Sequence, residues 1–346
     1  MNEKLKERIA ALVKLGEVLR RDEHLDEVIA RTASANPWFT DGFCRSALDG
    51  IIDKMLSSEK LEHWLSRYDI PEEGVSVKTV GIIMAGNLPL VGFHDFLCAY
   101  ISGCNVKLKL SGKDDILFPY VLERLMQIDL KLRDRALIIE RLEGFDAVIA
   151  TGSDNTNRYF EYYFRQYPKI LRKNRSSVAI LTGEETDEEL YGLADDIFMY
   201  FGLGCRNVSK LYVPEGYDVT RLFPYFGKYK WMHDHSKYMN NYDYNRTLLL
   251  MNKAPHLANE FIMVQESSAL NTPLSVLNYE RYKDVSSALS DLDNSIDKIQ
   301  CIVAGKSRNL EGRFSVIVPF GETQKPELWD FADNVDTLLF IFSLES

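Results

Sequence analysis

The sequence predicts an α/β protein, a parallel sheet covered by helices, and three observations predict it. From residue 77 onward, short apolar runs of strand type alternate with helix-like segments, which is how strand–helix–strand crossovers on a parallel sheet read. Glycines and small polar residues follow three of the strands, as Gly86-Asn87, Ser111-Gly112 and Gly152-Ser153, at the strand ends where such sheets gather ligands. The first 70 residues differ in texture, mixing polar and apolar residues at helical spacing.

In order, residues 1–70 read as helical, with Ile9, Leu12, Val13, Leu15, Val18 and Leu19 on the helical period. Pro71-Glu-Glu-Gly74 closes this region as a turn. Val77 to Ala85 reads as a strand, broken by Gly86-Asn87-Leu88-Pro89, and Val91 to Ser102 as a helix. Asn105 to Leu110 alternates as a strand does, and Asp115 to Gln127 resembles a helix. Two short strands follow, Ala136 to Glu140 and Ala147 to Ala150, then a helix over Asn155 to Gln166. Ser177 to Leu181 is the next strand and Asp187 to Phe201 the next helix. Lys210 to Pro214 enters a second unit as a strand, with further strands at Leu274 to Leu277, Ile302 to Ala304 and Phe314 to Pro319. Trp231 to Arg246 is aromatic and polar with no clean period, and the tail from Asp336 to Leu344 reads as an apolar terminal strand that something must cover.

The chain has 346 residues, 46% hydrophobic and 27% charged, an ordinary globular composition with length for two or three domains. The net charge of −10 argues against nucleic acid as the main partner, because an acidic surface repels a phosphate backbone. The N-terminus is charged throughout, and no apolar stretch has the length of a signal peptide or a membrane span. A cytoplasmic location is therefore expected. The five cysteines, Cys44, Cys98, Cys104, Cys205 and Cys301, form no CxxC or paired spacing. Reduced thiols are expected, with neither a disulfide framework nor a metal site.

Cys205 is the thiol with a setting of its own. It lies in Phe201-Gly-Leu-Gly-Cys-Arg-Asn-Val208 between a helix and a strand. The two glycines remove bulk and let a substrate approach the sulfur, and Arg206 adds a charge that favours thiolate. A packing cysteine at a junction is the competing role. Asn87 follows a strand and precedes a helix, where its amide can donate to an oxyanion or simply shape a turn. Thr151-Gly152-Ser153-Asp154 opens a helix, a place that suits an anion and equally suits capping by Ser153 or Asp154. Lys107, Lys109 and Lys113 flank Ser111-Gly112 and are read either as a solvated face or as ribose and phosphate contacts. GxGxxG does not occur. His94, His233 and His235 are open candidates for proton transfer.

Together these segments resemble the aldehyde dehydrogenase superfamily. The closer resemblance is to the long-chain acyl-CoA reductase family of the bioluminescence fatty-acid reductases (LuxC-like), over roughly residues 75–346. The order of motifs carries it. Gly86-Asn87-Leu88-Pro89 is similar to the superfamily's asparagine-bearing turn, and Leu108-Lys109-Leu110-Ser111 to its lysine-proline-serine-glutamate motif. Thr151-Gly152-Ser153 is similar to its glycine-serine helix start, Gly202-Leu203-Gly204-Cys205 to its nucleophile segment, and Pro319-Phe320-Gly321 to its late turn.

The resemblance implies an N-terminal helical segment (residues 1–74), a Rossmann-like cofactor domain (75–183), an α/β catalytic domain (184–320) and a C-terminal tail (321–346) whose apolar strand pairs with a second copy in a homo-oligomer. It implies Cys205 as nucleophile, Asn87 with the Cys205 backbone N–H as oxyanion donors, and Lys109, Ser111, Gly152 and Ser153 as cofactor contacts. Three departures refine this. The superfamily's general-base glutamate falls on Leu171, within Leu171-Arg172-Lys173-Asn174-Arg175, so water activation is disfavoured and thiol exchange with CoA is not. Ala269-Leu270-Asn271-Thr272-Pro273 lacks the cofactor-ribose glutamate, for which Glu266 is a substitute. Gly112 replaces the glutamate after Ser111, which with Lys109 and Lys113 favours a 2′-phosphate, hence NADPH, with NADH open. The expected reaction is reduction of fatty acyl-CoA to aldehyde through a cysteinyl thioester. The alternatives are oxidation of free aldehyde to acid, with Glu184 or Glu185 as the base, and an acyl-accepting subunit with little activity alone.

Overall fold

A computed structural model describes residues 3–70, 78–305, 314 and 317–345. The turn expected at Pro71-Glu-Glu-Gly74 and the strand residue Val77 lie outside the described residues, as do Ser315 and Val316 of the strand expected over Phe314 to Pro319. The chain divides into two compact units, one of residues 1–174 and 326–346, the other of residues 175–325.

The first unit opens with four helices, α1 (Glu3–Leu19), α2 (Leu25–Ala35), α3 (Asp41–Met55) and α4 (Ser58–Leu65). Thr40 and Ser57 start α3 and α4 by accepting the N–H of Phe43 and Lys60, satisfying donors that a first turn leaves without a helical partner. α1 buries Leu5, Ile9, Leu12 and Leu15 on one face, which packs on α5 (Phe93–Ser102) and α6 (Leu117–Ile128). The N-terminal helices and the sheet therefore share one core.

That sheet contains β1 (Thr79–Ile83), β2 (Asn105–Lys109), β3 (Ala136–Ile138), β4 (Ala147–Thr151) and β5 (Lys169–Arg172), all parallel, in the order β3-β2-β1-β4-β5. α7 (Asp154–Tyr163) links β4 to β5. The order reverses between β1 and β4, the switch point where an open α/β sheet offers a crevice at its carboxyl edge. Ile83 stands in register with both Lys109 and Ala150, so the segments following β1, β2 and β4 leave from that one edge.

The tail corrects an expectation. Residues 336–344, read as a terminal strand, contain a helix over Thr337–Phe342. Asp336 accepts the Leu339 N–H at 2.9 Å and starts it. Leu338 and Ile341, three apart, are both fully buried; a strand would send them to opposite faces, while a helix places them on one. That face packs on α5. Arg172 of β5 is buried with Asp95 of α5 and bonds Thr337 Oγ1 at 2.7 Å and the Ala332 carbonyl at 2.7 Å.

The second unit has a seven-stranded sheet: β6 (Ser176–Ile180), β7 (Val208–Pro214), β8 (Leu257–Ala258), β9 (Met263–Glu266), β10 (Val276–Tyr282), β11 (Ile299–Ala304) and β12 (Ile317–Val318). Its order is β12-β11-β6-β7-β10-β9-β8, parallel except for β8 against β9. Its helices are α8 (Asp187–Phe198), the short α9 (Phe223–Phe226), α10 (Ser236–Met251) and α11 (Val285–Asp293). α10 runs through the segment that showed no period, because its buried residues are Tyr238, Tyr242 and Asn245: the spacing is helical but the side chains are polar. Among the described residues no helix is long and apolar enough to cross a membrane.

Candidate active site

Cys205 stands in the turn between α8 and β7, partly exposed. The approach to it is unusual. After α8 the chain makes one tight turn over Met199–Gly202 in which Tyr200 (φ 53°) and Phe201 (φ 58°) are left-handed, as is Gly202 (φ 74°). Left-handed backbone is uncommon for bulky aromatic residues and persists only where the surroundings enforce it. Here the Phe201 ring is enclosed by His235, Tyr238 and Trp231, at 4.4, 5.6 and 5.6 Å between centroids. Asn207 ties the turn from inside: its Oδ1 accepts the Gly204 N–H at 2.8 Å, and its Nδ2 donates to the carbonyls of Met199 (2.9 Å) and Asp196 (3.1 Å). From the sheet side, the fully buried Ser177 donates its hydroxyl to the Cys205 carbonyl at 2.9 Å.

The other four cysteines are buried. Burial pushes the Cys44 thiol up to about 12 and Cys301 to about 11, and raises Cys98 and Cys104 as well. A thiol so held is a poor nucleophile at neutral pH. Cys205 is thus the one cysteine with a solvent-facing surface.

On the first unit, the sequence-predicted cofactor residues share the carboxyl edge of the sheet. Gly86, after β1, packs so closely on Ser111, after β2, that an added Cβ would overlap Ser111 Oγ; only glycine fits. Ser153 caps α7 through the Thr156 N–H, and Asn157 Nδ2 bonds the Gly152 carbonyl at 3.3 Å. The buried Oδ1 of Asn157 has no hydrogen-bond partner, an acceptor beside the start of α7. Lys109 makes no ion pair among the described residues, and Gly112 has open space around it. Lys107 differs: its Nζ donates to the Glu143 carbonyl at 2.7 Å, which makes it a structural lysine. Lys109 without an ion pair, a helix start and a close-packed glycine at a switch point fit a dinucleotide.

Asn87 is exposed in the turn between β1 and α5. That turn contains Leu90 at φ 58°, whose N–H is taken by Asp114 Oδ2 at 2.8 Å. Asp114 is 6% exposed and its Oδ1 has no partner. Burial pushes its carboxyl up to about 6. A carboxyl raised above its unfolded value of about 3.9 binds its proton more tightly in the folded state. Its contribution to stability therefore declines as pH rises from about 4 to 6, by up to roughly 3 kcal/mol. Asp114→Asn should keep the Leu90 bond and flatten this dependence: its loss of melting temperature between pH 5 and 8 should be smaller than the parent's. An unchanged slope would count against a charged, buried Asp114.

The histidines divide. His94 Nε2 faces the Leu328 carbonyl at 3.0 Å, and burial lowers its pKa, a structural role. His235 caps α10 by accepting the Tyr238 N–H. His233 lines a cleft of about 500 Å³ with Tyr242, Arg246 and Glu260. Glu184 and Glu185, close to Cys205 in sequence, are not placed to serve it. They follow β6 at its carboxyl end, whereas Cys205 precedes β7, whose Val208 pairs with Ser177 near the start of β6; the two stand at opposite edges of the sheet. The Glu185 carboxylate is held by its own loop, at Thr182 and Gly183. Glu266, at the end of β9, is exposed and contacts Arg281 at 3.7 Å and Tyr279 Oη at 3.4 Å. Asn207 and Ser177 escaped sequence reasoning; the signal available was an asparagine and a serine each flanking a strand start, too common to single out. Among the described residues no group of three or more His, Cys, Asp or Glu could hold a metal ion.

The sequence matches no family model and no curated protein. Solved structures do match. Aldehyde dehydrogenase 21 from Physcomitrella patens, in complex with the reaction product succinate, is similar with a TM-score of 0.68 at 14% identity, covering 99% of this chain and 84% of that one. The NAD-dependent benzaldehyde dehydrogenase from Corynebacterium glutamicum gives 0.68 at 11% identity, over 93% and 83%. The Mycobacterium tuberculosis aldehyde dehydrogenase complexed with NAD+ gives 0.65 at 13%, over 91% and 77%. The fold is aldehyde dehydrogenase-like. At these identities the likeness is one of fold, and chemistry has to be argued from the residues.

Proposed function

We propose that the chain is an oxidoreductase of the LuxC-like kind, reducing fatty acyl-CoA to aldehyde with NADPH through a thioester on Cys205. The observation that carries this is the contrast among the thiols: Cys205 is partly exposed on an enforced turn, while the other four are buried. The Cys205 thiolate attacks the acyl carbonyl, the bond to CoA sulfur breaks, and CoA leaves as a thiolate that takes up a proton. A bound nicotinamide supplies the hydride. The thiohemiacetal on Cys205 then collapses, releasing aldehyde and restoring the thiolate. Asn87 and the Cys205 backbone N–H are the proposed oxyanion donors at both tetrahedral stages. Leu171, at the position of the superfamily's base, carries no proton-accepting group, which favours exchange with CoA over hydrolysis.

Lys109, Ser111, Gly152 and Ser153 are the proposed cofactor contacts, with Lys109 and Lys113 toward the 2′-phosphate. Replacing both lysines with alanine should raise the KM for NADPH about tenfold and leave that for NADH within about twofold; equal effects on both would assign the lysines elsewhere. The test of the reaction is stoichiometric: one CoA thiol and one aldehyde per NADPH consumed. A second reading, oxidation of free aldehyde with NAD+, is favoured by the structural neighbours, one of which is complexed with NAD+. Steady acid production without CoA would establish it instead. The reading includes a homo-oligomer, for which the tail offers its outward Leu339, 58% exposed.

A further inference from the structure

The turn that carries the proposed nucleophile is held by two buried side chains. We propose that Asn207, with Ser177, is the positioning residue of Cys205, and that the reactivity of the thiol depends on these two buried side chains. The proposal rests on the nucleophile reading and extends it.

Asn207 is 3% exposed and its amide is fully used. The oxygen accepts the N–H of Gly204, the residue before Cys205, at 2.8 Å. The nitrogen donates to three carbonyls that end α8, those of Met199 (2.9 Å), Asp196 (3.1 Å) and Ile197 (3.4 Å). A helix end leaves its last carbonyls without helical partners. Here a side chain two residues past the nucleophile supplies the donors, so the end of α8 and the Cys205 turn are fixed by one group. The backbone N–H of Asn207 also bonds the Gly204 carbonyl at 3.1 Å, closing the turn around Cys205.

α8 is itself anchored. Asp196 accepts the N–H of Gly321 at 2.7 Å and both the N–H and hydroxyl of Thr323, at 3.1 and 2.8 Å. Gly192 of α8 lies against the Phe320–Gly321 backbone so closely that a Cβ there would stand 2.9 Å from it. The late Pro319-Phe320-Gly321 turn thus braces the helix that Asn207 grips.

Ser177 works from the other side. Its hydroxyl donates to the Cys205 carbonyl, accepts the Cys301 N–H at 3.2 Å and stands 3.0 Å from Cys301 Sγ. One hydroxyl ties β6, β11 and the nucleophile turn together. Asn207 holds the peptide before Cys205 and Ser177 the carbonyl after it. Between two such clamps the backbone is held on both sides of the Cys205 sulfur. With Asn207 shortened, the left-handed residues Tyr200 and Phe201 lose part of what enforces them, and the turn relaxes.

The test follows the alkylation rate of Cys205 by iodoacetamide against pH, read by peptide mass spectrometry on the full chain, without acyl-CoA or nicotinamide. In Asn207→Ala the rate at pH 7 should fall at least tenfold and its pH midpoint should rise, with the chain still cooperatively folded. Asn207→Asp keeps the acceptor for Gly204 but loses the donors, and should fall between. Ser177→Ala should also slow alkylation, and it guards the test should Asn207→Ala not fold. A parent Cys205 that reacts readily, with rates and midpoints unchanged in Asn207→Ala, or in Ser177→Ala where Asn207→Ala does not fold, would overturn the positioning proposal and leave the nucleophile reading standing. A parent Cys205 no faster than a cysteine in the unfolded chain would instead remove the nucleophile reading, and this proposal with it.

Discussion

Cys205→Ala is expected to abolish aldehyde formation from acyl-CoA, a loss on the order of 10⁴-fold or more, with the fold intact. The size follows from the role. No other cysteine can carry the thioester in its place, because Cys44, Cys98, Cys104 and Cys301 are buried and burial raises each of their pKa values. The fold should survive because Cys205 is partly exposed, and the clamps on its turn act on backbone: Asn207 on the Gly204 N–H and Ser177 on the Cys205 carbonyl. Alanine keeps both groups. Losing a partly exposed sulfur changes stability by about 1 kcal/mol at most. Aldehyde formation assayed beside circular dichroism checks both halves. Turnover surviving in the alanine variant would rule out a cysteinyl thioester at this position.

The largest stability effect should come from the Asp95–Arg172 pair. Both side chains are more than nine-tenths buried, at 7% and 6% exposure. Arg172 Nη2 bonds Asp95 Oδ1 at 2.5 Å and Nε bonds Oδ2 at 3.1 Å, a two-pronged pairing of guanidinium and carboxylate. Thr337 stands between them, accepting from Arg172 at 2.7 Å and donating to Asp95 at 3.1 Å. Asp95→Ala leaves a buried arginine without its counter-ion, which costs about 3–5 kcal/mol and lowers the melting temperature on the order of 10 °C. Arg172→Met should be comparably damaging, whereas replacing both by apolar residues of similar volume should recover much of the loss, since a buried pair is often no better than good packing. Burial alone would raise the Asp95 carboxyl, but the Arg172 charge and hydrogen bonds outweigh it and hold the group below its ordinary value. The contribution is therefore complete above about pH 4 and is lost only as pH falls further. A thermal melt of Asp95→Ala indistinguishable from the parent would contradict this.

The strand–helix alternation and the small residues after β1, β2 and β4 were legible because each is a local pattern: apolar runs mark buried parallel strands, and glycine marks close approach. The setting of Cys205 was legible for the same reason. What escaped is what one segment cannot show. Asp95 and Arg172 look like ordinary polar residues in their own elements, and only the fold brings them together across 77 positions. α10 was hidden because its buried face is tyrosine and asparagine. The tail's continuous apolar run is equally a strand or a helix as a pattern; the Asp336 cap and the three-residue spacing of the buried Leu338 and Ile341 make it a helix. Glu184 and Glu185 are near Cys205 in sequence but far from it in the sheet, because a parallel strand separates one edge of its sheet from the other.

The most direct measurement is intact-protein mass spectrometry after mixing the chain with a long-chain acyl-CoA in the absence of nicotinamide. The thioester reading predicts an acyl adduct that maps to Cys205 and is discharged as aldehyde when NADPH is added. No adduct with any acyl-CoA, or an adduct on another residue, would contradict it.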